Sequence, residues 1–391
     1  MKLDLKLTES EEILRKTALD FMQRDAPRQA IQLLQETDEG CTPELWRKAA
    51  DMGWLGIIIP EEYGGAGGSF TSAGVLYEAL GTGPLPGPHF SSSILGSLIL
   101  LETGTEDQKR RLLPAVARGE CVLALALTEA EYGWDAAVQT TAGPRDGGFA
   151  VQGVKLFSMD AAGATHLIVA ARTEAGADST PGFVLLLVDA KSGGVSVRRV
   201  PGFLSGRSFE VGLDSVYVPR PDVLSAGAGA WEALQRAFVT AIPVLSAYQA
   251  GGCQALCDLA LGYSRTRLQF GQAIGRFQRV QDLIIDMVTH ADAARWATYE
   301  ALWKLDSQRP AEESARLAKV VSSTSYWETC TLAHQVFSGV SYSKEHPVSF
   351  HTKASRSLYS YLGDPAYHKR ELAKLLLGAG GSIFSEGAVH E

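Results

Sequence analysis

From about residue 121 to residue 224 this chain changes texture, and the change limits the folds open to it. Short apolar or alternating runs, "VLALALT", "HLIVAAR", "GFVLLLVDA", "VSVRRV" and "EVGLDSVYVP", are parted by glycine turns, "RDGG", "KSGG" and "PGFLSG". A two-residue alternation marks strands, and glycine clusters between such runs mark turns. No long helical pattern intervenes. The strands are therefore expected to pair antiparallel through turns, not in a doubly wound order.

On both sides the period becomes helical. Thr8 and Glu11 form a capping box ahead of Ile13, Leu14, Ala18, Phe21 and Met22. Thr42-Pro43 opens a second helix that Gly53 ends, and Thr105 with Gln108 opens another that Gly119 closes. After residue 228, helices are expected over roughly 244–267, 278–306, 311–338, 347–362 and 365–377, with Pro243 interrupting the first. The expected architecture is α+β and multi-domain: an N-terminal helical domain over 1–120, a middle antiparallel β domain over 121–225, and a C-terminal helical bundle over 226–391. With 391 residues, 46% of them hydrophobic, there is ample material for a large core.

Composition excludes some functions. The net charge of -8 argues against a nucleic-acid footprint. The longest pure apolar runs, "LGIII" and "FVLLLV", are far shorter than the ~18 residues of a spanning helix. The first residues, "MKLDLKLTESEEILRK", show no apolar core or cleavage site of a targeting peptide. A cytoplasmic protein with no membrane partner is expected. The five cysteines are scattered, which argues against a disulfide framework, and Cys253 and Cys257 read as buried thiols on one helix face.

Several motifs invite chemistry. "GGAGGS" at 64–69 lacks the spacing of a phosphate loop and reads as a turn with positive φ angles. No nucleophile elbow or zinc-binding histidine motif is present, and His346, His351 and His368 read as surface or corner residues. In "LALTEAEYGWD", 125–135, a strand ends in Thr128-Glu129 and a turn follows with Gly133 and Asp135, an arrangement suited to a flat polar ligand. In "YSRTRLQFGQAIGRFQRVQ", 263–281, Arg265 and Arg267 close a helix, Phe270-Gly271 turns, and Gln278 begins the next helix. An arginine there suits a diphosphate, or simply the helix dipole. Finally, "RSLYSYLGDPAYHKREL", 356–372, reads as helix, corner, helix: Gly363 at the C′ position, Asp364 as N-cap, Pro365 at N1.

Taken in order, these segments resemble the acyl-CoA dehydrogenase family over almost the whole chain. "PEEYGG" and "GTEDQKRRLLPAVARGE" are similar to its N-terminal segments, "LALTEAEYGWD" to its flavin-contacting turn, and "GVKLFSMD" to the strand that packs on the isoalloxazine ring. "RLQFG" resembles the arginine turn that reaches a neighbouring subunit's FAD, "HQVFSG" the segment near the adenine end, and "YLGDP" falls where the family has Y-E-G-T. The resemblance implies a C-terminal four-helix bundle, FAD as cofactor, an acyl-CoA substrate, and an electron-transferring flavoprotein as redox partner. It assigns Thr128, Gly133, Trp134, Phe157, Ser158, Arg267, Gln269, Phe270, Gln278, Gln335, Ser338 and Gly339 to FAD.

The same register shows departures. Leu362 stands where the family's glutamate base is expected, and Ala241 occupies the alternative base position on the preceding helix. A leucine cannot accept a proton. Trp134 replaces a serine, and its indole could stack near flavin or plug the acyl channel; Phe157 replaces a tryptophan. The resemblance therefore points to a base-less chain, paired in a heterodimer or heterotetramer with a second, base-bearing subunit. A flavin monooxygenase of the same fold, or a homo-oligomeric dehydrogenase with an unusual base such as Asp364, are the alternatives.

Overall fold

A computed structural model of the chain describes residues 6–378 other than 132, 135, 174–181 and 203–206. Asp135, singled out above, lies outside the described residues. Both expected capping boxes are present: Thr8 with Glu11 opens α1 (Glu9–Arg24), and Thr105 with Gln108 opens α6 (Glu106–Ala117). Between them come α2 (Arg28–Glu36), α3 (Pro43–Asp51), α4 (Phe70–Gly81), a π-helical segment (His89–Gly96) and α5 (Ser97–Thr103). The Thr42-Pro43 helix is thus the third. α2 escaped the sequence reading because its N-cap, Pro27, offers no side-chain hydrogen bond, and its short length buries only Ile31 and Leu34. The glycine-rich loop is a turn, with Gly64 and Gly67 at φ 77° and 59°.

The middle region is a single sheet of β1 (Leu123–Ala126), β2 (Thr141–Arg145), β3 (Gly148–Met159), β4 (His166–Arg172), β5 (Phe183–Asp189), β6 (Val195–Arg199), β7 (Ser208–Pro219) and β8 (Val223–Ala226). Their order is β6-β7-β3-β2-β4-β5-β8, with β1 beside β4. The pairing is antiparallel except where β1 runs parallel to β4 and β2 meets β4 at Thr141–Arg172. β1 enters from the helical region, and the long excursion through β2 and β3 returns the chain to β4 in the same direction.

Then come α7 (Ala228–Thr266), a small ladder of β9 (Leu268–Gln269) and β10 (Gln272–Ala273), α8 (Gln278–Asp306), α9 (Glu312–Phe337), α10 (Pro347–Ser360) and α11 (Pro365–Leu377). α7, α8, α9 and α10 make the four-helix bundle, and α11 packs on α9. One expectation fails here: Pro243 does not interrupt α7, which runs 39 residues through it. Proline removes one i→i−4 bond and costs about 3 kcal/mol in a helix interior. Residues 241–250 are all buried, so packing on both sides of the proline outweighs that local cost.

The N-terminal helices and the bundle are locked together. Glu78 of α4 accepts hydrogen bonds from Arg295 Nε (2.9 Å) and Tyr299 Oη (2.6 Å) of α8. α4 and α7 approach so closely that a Cβ on Gly81 would meet the Tyr248 carbonyl, and one on Gly251 the Glu78 carbonyl. The largest apolar cluster accordingly runs from Phe21 through Ile94, Leu125 and Phe183 to Phe238, Tyr361 and Leu362. Separate clusters fill the β region and the far part of the bundle, the latter around Cys253, Met287 and Tyr326. Cys253 and Cys257 are buried as expected, Cys330 is buried with them, and burial pushes the Cys257 and Cys330 thiols up to about 12. Such thiols are poor nucleophiles.

Candidate active site

The corner between α10 and α11 is built as a stop and a start. Asp364 Oδ1 accepts the Tyr367 backbone N–H at 2.7 Å, and Pro365 sits at N1. The left-handed turn begins one residue earlier than expected: Tyr361 is the C-cap, and Leu362 at φ 60° precedes Gly363 at φ 96°. Leu362 is only 1% exposed. The corner is pinned through main-chain carbonyls. Lys319 of α9 donates to Leu358 O (2.7 Å), Tyr359 O (3.3 Å) and Ser323 Oγ (2.9 Å), while His368 Nε2 donates to Leu362 O at 2.8 Å. Burial, opposed by Asp364, brings the Lys319 ammonium down to about 7. Burial, with Lys319 next, pushes His368 down to about 3. His368 is thus a corner residue, but a buried one. His351 is buried too, its Nδ1 paired with Tyr326 Oη at 2.9 Å, so neither is superficial. The heptad-free spacing of these histidines hid which helix face each would occupy.

Leu362 and Ala241 belong to the same buried apolar cluster. Two carboxylates of the motif segments, Asp364 and Glu129, are committed elsewhere. Asp364 caps a helix. Glu129 accepts from Lys155 Nζ (2.7 Å), Thr140 N (2.8 Å), Thr140 Oγ1 (2.6 Å) and Gln139 N (2.5 Å). Burial works against Glu129 ionising, but Lys155 and these donors outweigh it and hold the carboxyl below its usual range. Lys155 is fully buried, brought down to about 8 by burial, and also donates to Leu127 O. This ion pair fixes the turn that starts at Thr128.

The expected flavin residues fall into two groups. The first lies in the middle region. Thr128 is buried and tied twice to Leu156, its hydroxyl donating to the Leu156 carbonyl and its own carbonyl accepting from Leu156 N at 2.8 Å. Next to Leu156, a register shift between β3 and β7 puts Phe157 at φ 57° and leaves it 40% exposed. Gly133 is exposed; Trp134 is half-buried, edge-on to Phe238 (5.9 Å) and Tyr361 (6.3 Å), so the indole joins the aromatic wall beside the corner. Ser158 is buried, its hydroxyl without a partner among the described residues, while its neighbour Met159 lines the adjoining cavity. A flat, outward-facing Phe157 ring beside a rigid turn fits the apolar face of an isoalloxazine. The strain of a left-handed phenylalanine is the kind of cost retained at functional positions.

The second group sits at the far end of the bundle. Arg267, Gln269, Phe270 and Gln278 flank the β9–β10 ladder, and Gln335, Ser338 and Gly339 end α9; all are exposed, Phe270 to 92%. Tyr263 of α7 stacks on Phe337 of α9 at 4.6 Å and joins the two segments into one surface. None of these seven residues lines the main cavity.

That cavity, of about 370 Å³, opens between the helical and β regions and reaches Tyr361. Its walls include Tyr77, His89, Phe90, Tyr248 and Tyr361. They also include a buried ion pair, Arg207 with Asp160, whose Oδ2 accepts from Ser91 Oγ at 2.6 Å. The sequence reading singled out none of these. Asp160 lies 47 residues from Arg207 and 69 from Ser91, and neither spacing has a period to betray it.

Comparison with known proteins places the whole arrangement. Three family models match in succession: acyl-CoA dehydrogenase N-terminal domain at 8–120, middle domain at 124–212 and C-terminal domain at 229–377. The chain is 31% identical to a 3-(aryl)acrylate reductase of Clostridium sporogenes over 95% of its own length and 99% of the relative's. It is 29% identical to subunit CarC of the caffeyl-CoA reductase–Etf complex of Acetobacterium woodii, again covering 95% and 99%. The solved structure described as PigA with FAD and proline superposes at TM-score 0.86 and 25% identity, covering 96% of this chain and 99% of that one. The chain belongs to the acyl-CoA dehydrogenase family. It is accordingly a flavoprotein oxidoreductase whose cofactor is FAD. No helix of the described residues is long and apolar enough to cross a membrane.

Proposed function

We propose that this chain is an acyl-CoA dehydrogenase subunit without a proton-abstracting base of its own, completed by a base-bearing partner chain. The observation that carries the reading is the corner: Leu362 is buried at the base position, Ala241 is buried at the alternative one, and Asp364 is engaged as an N-cap. α-Proton abstraction needs a carboxylate within hydrogen-bond reach, and leucine supplies none. FAD, when bound, supplies the acceptor for the β-hydride. Thr128, Gly133, Trp134, Phe157 and Ser158 would present this chain's flavin shelf, and the turn stays rigid because Glu129 is tied to Lys155.

The bundle-end surface has a second task. Arg267, Gln269, Phe270, Gln278, Gln335, Ser338 and Gly339 would complete the partner's FAD site, with Arg267 meeting the diphosphate. Their shared exposure, with Phe270 at 92% and Arg267 beside it, supports an intermolecular role. The relative CarC, named as a subunit of an Etf complex, supports an electron-transferring flavoprotein as the redox partner and an acyl-CoA as the substrate.

The test is expression of the chain alone and with the product of a neighbouring gene. Alone it should hold little flavin and show no acyl-CoA-dependent bleaching, and both should appear on co-expression. A fully active homo-oligomer would refute the heteromeric reading. Leu362→Glu should give measurable dehydrogenase turnover if the base is the only missing group.

A further inference from the structure

We infer that the cavity beside Tyr361 is a binding site for a ring-bearing acyl group that carries a neutral hydroxyl at its far end. This rests on the reading of the chain as an acyl-CoA-binding family member, and it adds the class of acyl group. The size argues for a ring with a short side chain. A cavity of about 150 Å³ already takes benzene, and this one is about 370 Å³.

The walls argue for an aromatic ring. Tyr77 and His89 lie 5.4 Å apart, His89 and Tyr248 stack at 5.9 Å, and Phe90 meets Tyr77 and Tyr361 edge-on at 6.0 Å. The rings thus form one continuous surface, and edge-to-face geometry is what a further aromatic ring prefers. The surface is set in advance: Tyr77 Oη donates to His89 O at 2.6 Å, and Tyr248 Oη to Leu85 O at 3.0 Å. An alkyl chain has no need of such rigid ring faces.

The polar end of the cavity argues for a hydroxyl. Asp160 and Arg207 line it with side chains only 6% and 7% exposed, and Ser91 holds the other carboxylate oxygen. Glu36, Arg199 and Lys353 also line the cavity, but the buried pair is the part that selects: a ligand carboxylate there would meet the Asp160 carboxylate, and an alkyl terminus would leave the pair's remaining hydrogen-bonding capacity unused. A hydroxyl donates to a carboxylate or accepts from a guanidinium, so it suits a paired cation and anion without adding charge. The buried Tyr361 hydroxyl, which has no partner among the described residues, is a further polar group on the same wall.

Binding, not turnover, tests this, because the base position is leucine. Titration calorimetry of the purified chain with para-hydroxyphenylpropanoyl-CoA, phenylpropanoyl-CoA and octanoyl-CoA separates the possibilities. The hydroxylated aryl thioester should bind at least about tenfold tighter than octanoyl-CoA. Its margin over phenylpropanoyl-CoA should vanish in Asp160→Asn. Should that variant fail to fold, Ser91→Ala, which frees one carboxylate oxygen, should change the same margin. Octanoyl-CoA binding as tightly as the aryl thioesters overturns the inference and leaves the family reading standing. Failure of all three to bind, both to the chain alone and to the chain with its partner, overturns the acyl-CoA reading beneath it as well.

Discussion

Leucine, phenylalanine and serine rarely adopt positive φ, because the left-handed region crowds Cβ against the backbone at roughly 1–2 kcal/mol. Among the described residues, Phe157, Phe270, Ser338 and Leu362 do so at positions the family resemblance assigns to flavin or base, and Ser215 does so at one it does not. Asp160, on the cavity wall, is another. Strain gathered at such positions marks where geometry matters more than local comfort. A specific expectation follows for Phe157. Phe157→Gly should leave stability within about 1 kcal/mol of the parent, since relief of the left-handed strain offsets lost burial and added chain entropy. Flavin retained through gel filtration by the chain co-expressed with its partner should nevertheless fall several-fold. A drop in melting temperature with unchanged flavin would assign the ring a packing role. The corner behaves oppositely. Leu362→Ala removes a buried side chain from the largest apolar cluster and should cost about 2–5 kcal/mol in denaturant unfolding.

Three helices announced themselves through local chemistry, while the Ser69 cap of α4 went unread behind its glycines. Thr8–Glu11, Thr105–Gln108 and Asp364–Pro365 all cap the helices they were expected to cap. Pro243 misled because a local rule met ten consecutive buried residues, 241–250, whose packing is invisible in one dimension. The candidate site was half legible for the same reason. Turns and strand ends carry motifs, so the segment from Thr128 to Trp134 and the corner at Leu362 could be picked out as candidates. The Asp160–Arg207–Ser91 cluster could not, because the sheet and the π-helical segment assemble it from distant parts of the chain. Met159 lines the cavity, and its neighbour Ser158 is buried beside it. The α4–α7 contact offers a test in which two effects oppose each other. Alanine favours a helix over glycine by up to about 1 kcal/mol. Gly81→Ala and Gly251→Ala should nonetheless destabilise by about 1–3 kcal/mol, because each new Cβ meets a backbone carbonyl.

Across the whole molecule, the buried histidines set an acid limit. Burial pushes His351 and His368 down to about 3, against an unperturbed value near 6.5. In this window the unfolded chain binds protons that the folded chain does not, so stability is fully present above about pH 6.5 and is lost as pH falls below it. Each histidine contributes a slope of about 1.4 kcal/mol per pH unit there. His368→Gln can still donate to the Leu362 carbonyl but cannot be charged, so its urea-unfolding midpoint should fall less between about pH 6.5 and pH 5 than the parent's. The Glu78–Arg295–Tyr299 lock joins the N-terminal helices to the bundle. Arg295→Met, which leaves the Glu78 carboxylate short of its cation, should lower the melting temperature more than Tyr299→Phe does.

The pins at the corner have a consequence for how such chains diverge. Lys319 and His368 grip only the carbonyls of residues 358, 359 and 362, and Asp364 grips an amide. None of these holds reads the side chain at position 362. The residue at 362 can therefore change without loss of the hydrogen bonds that hold the joint. Loss of chemistry and survival of the scaffold are uncoupled.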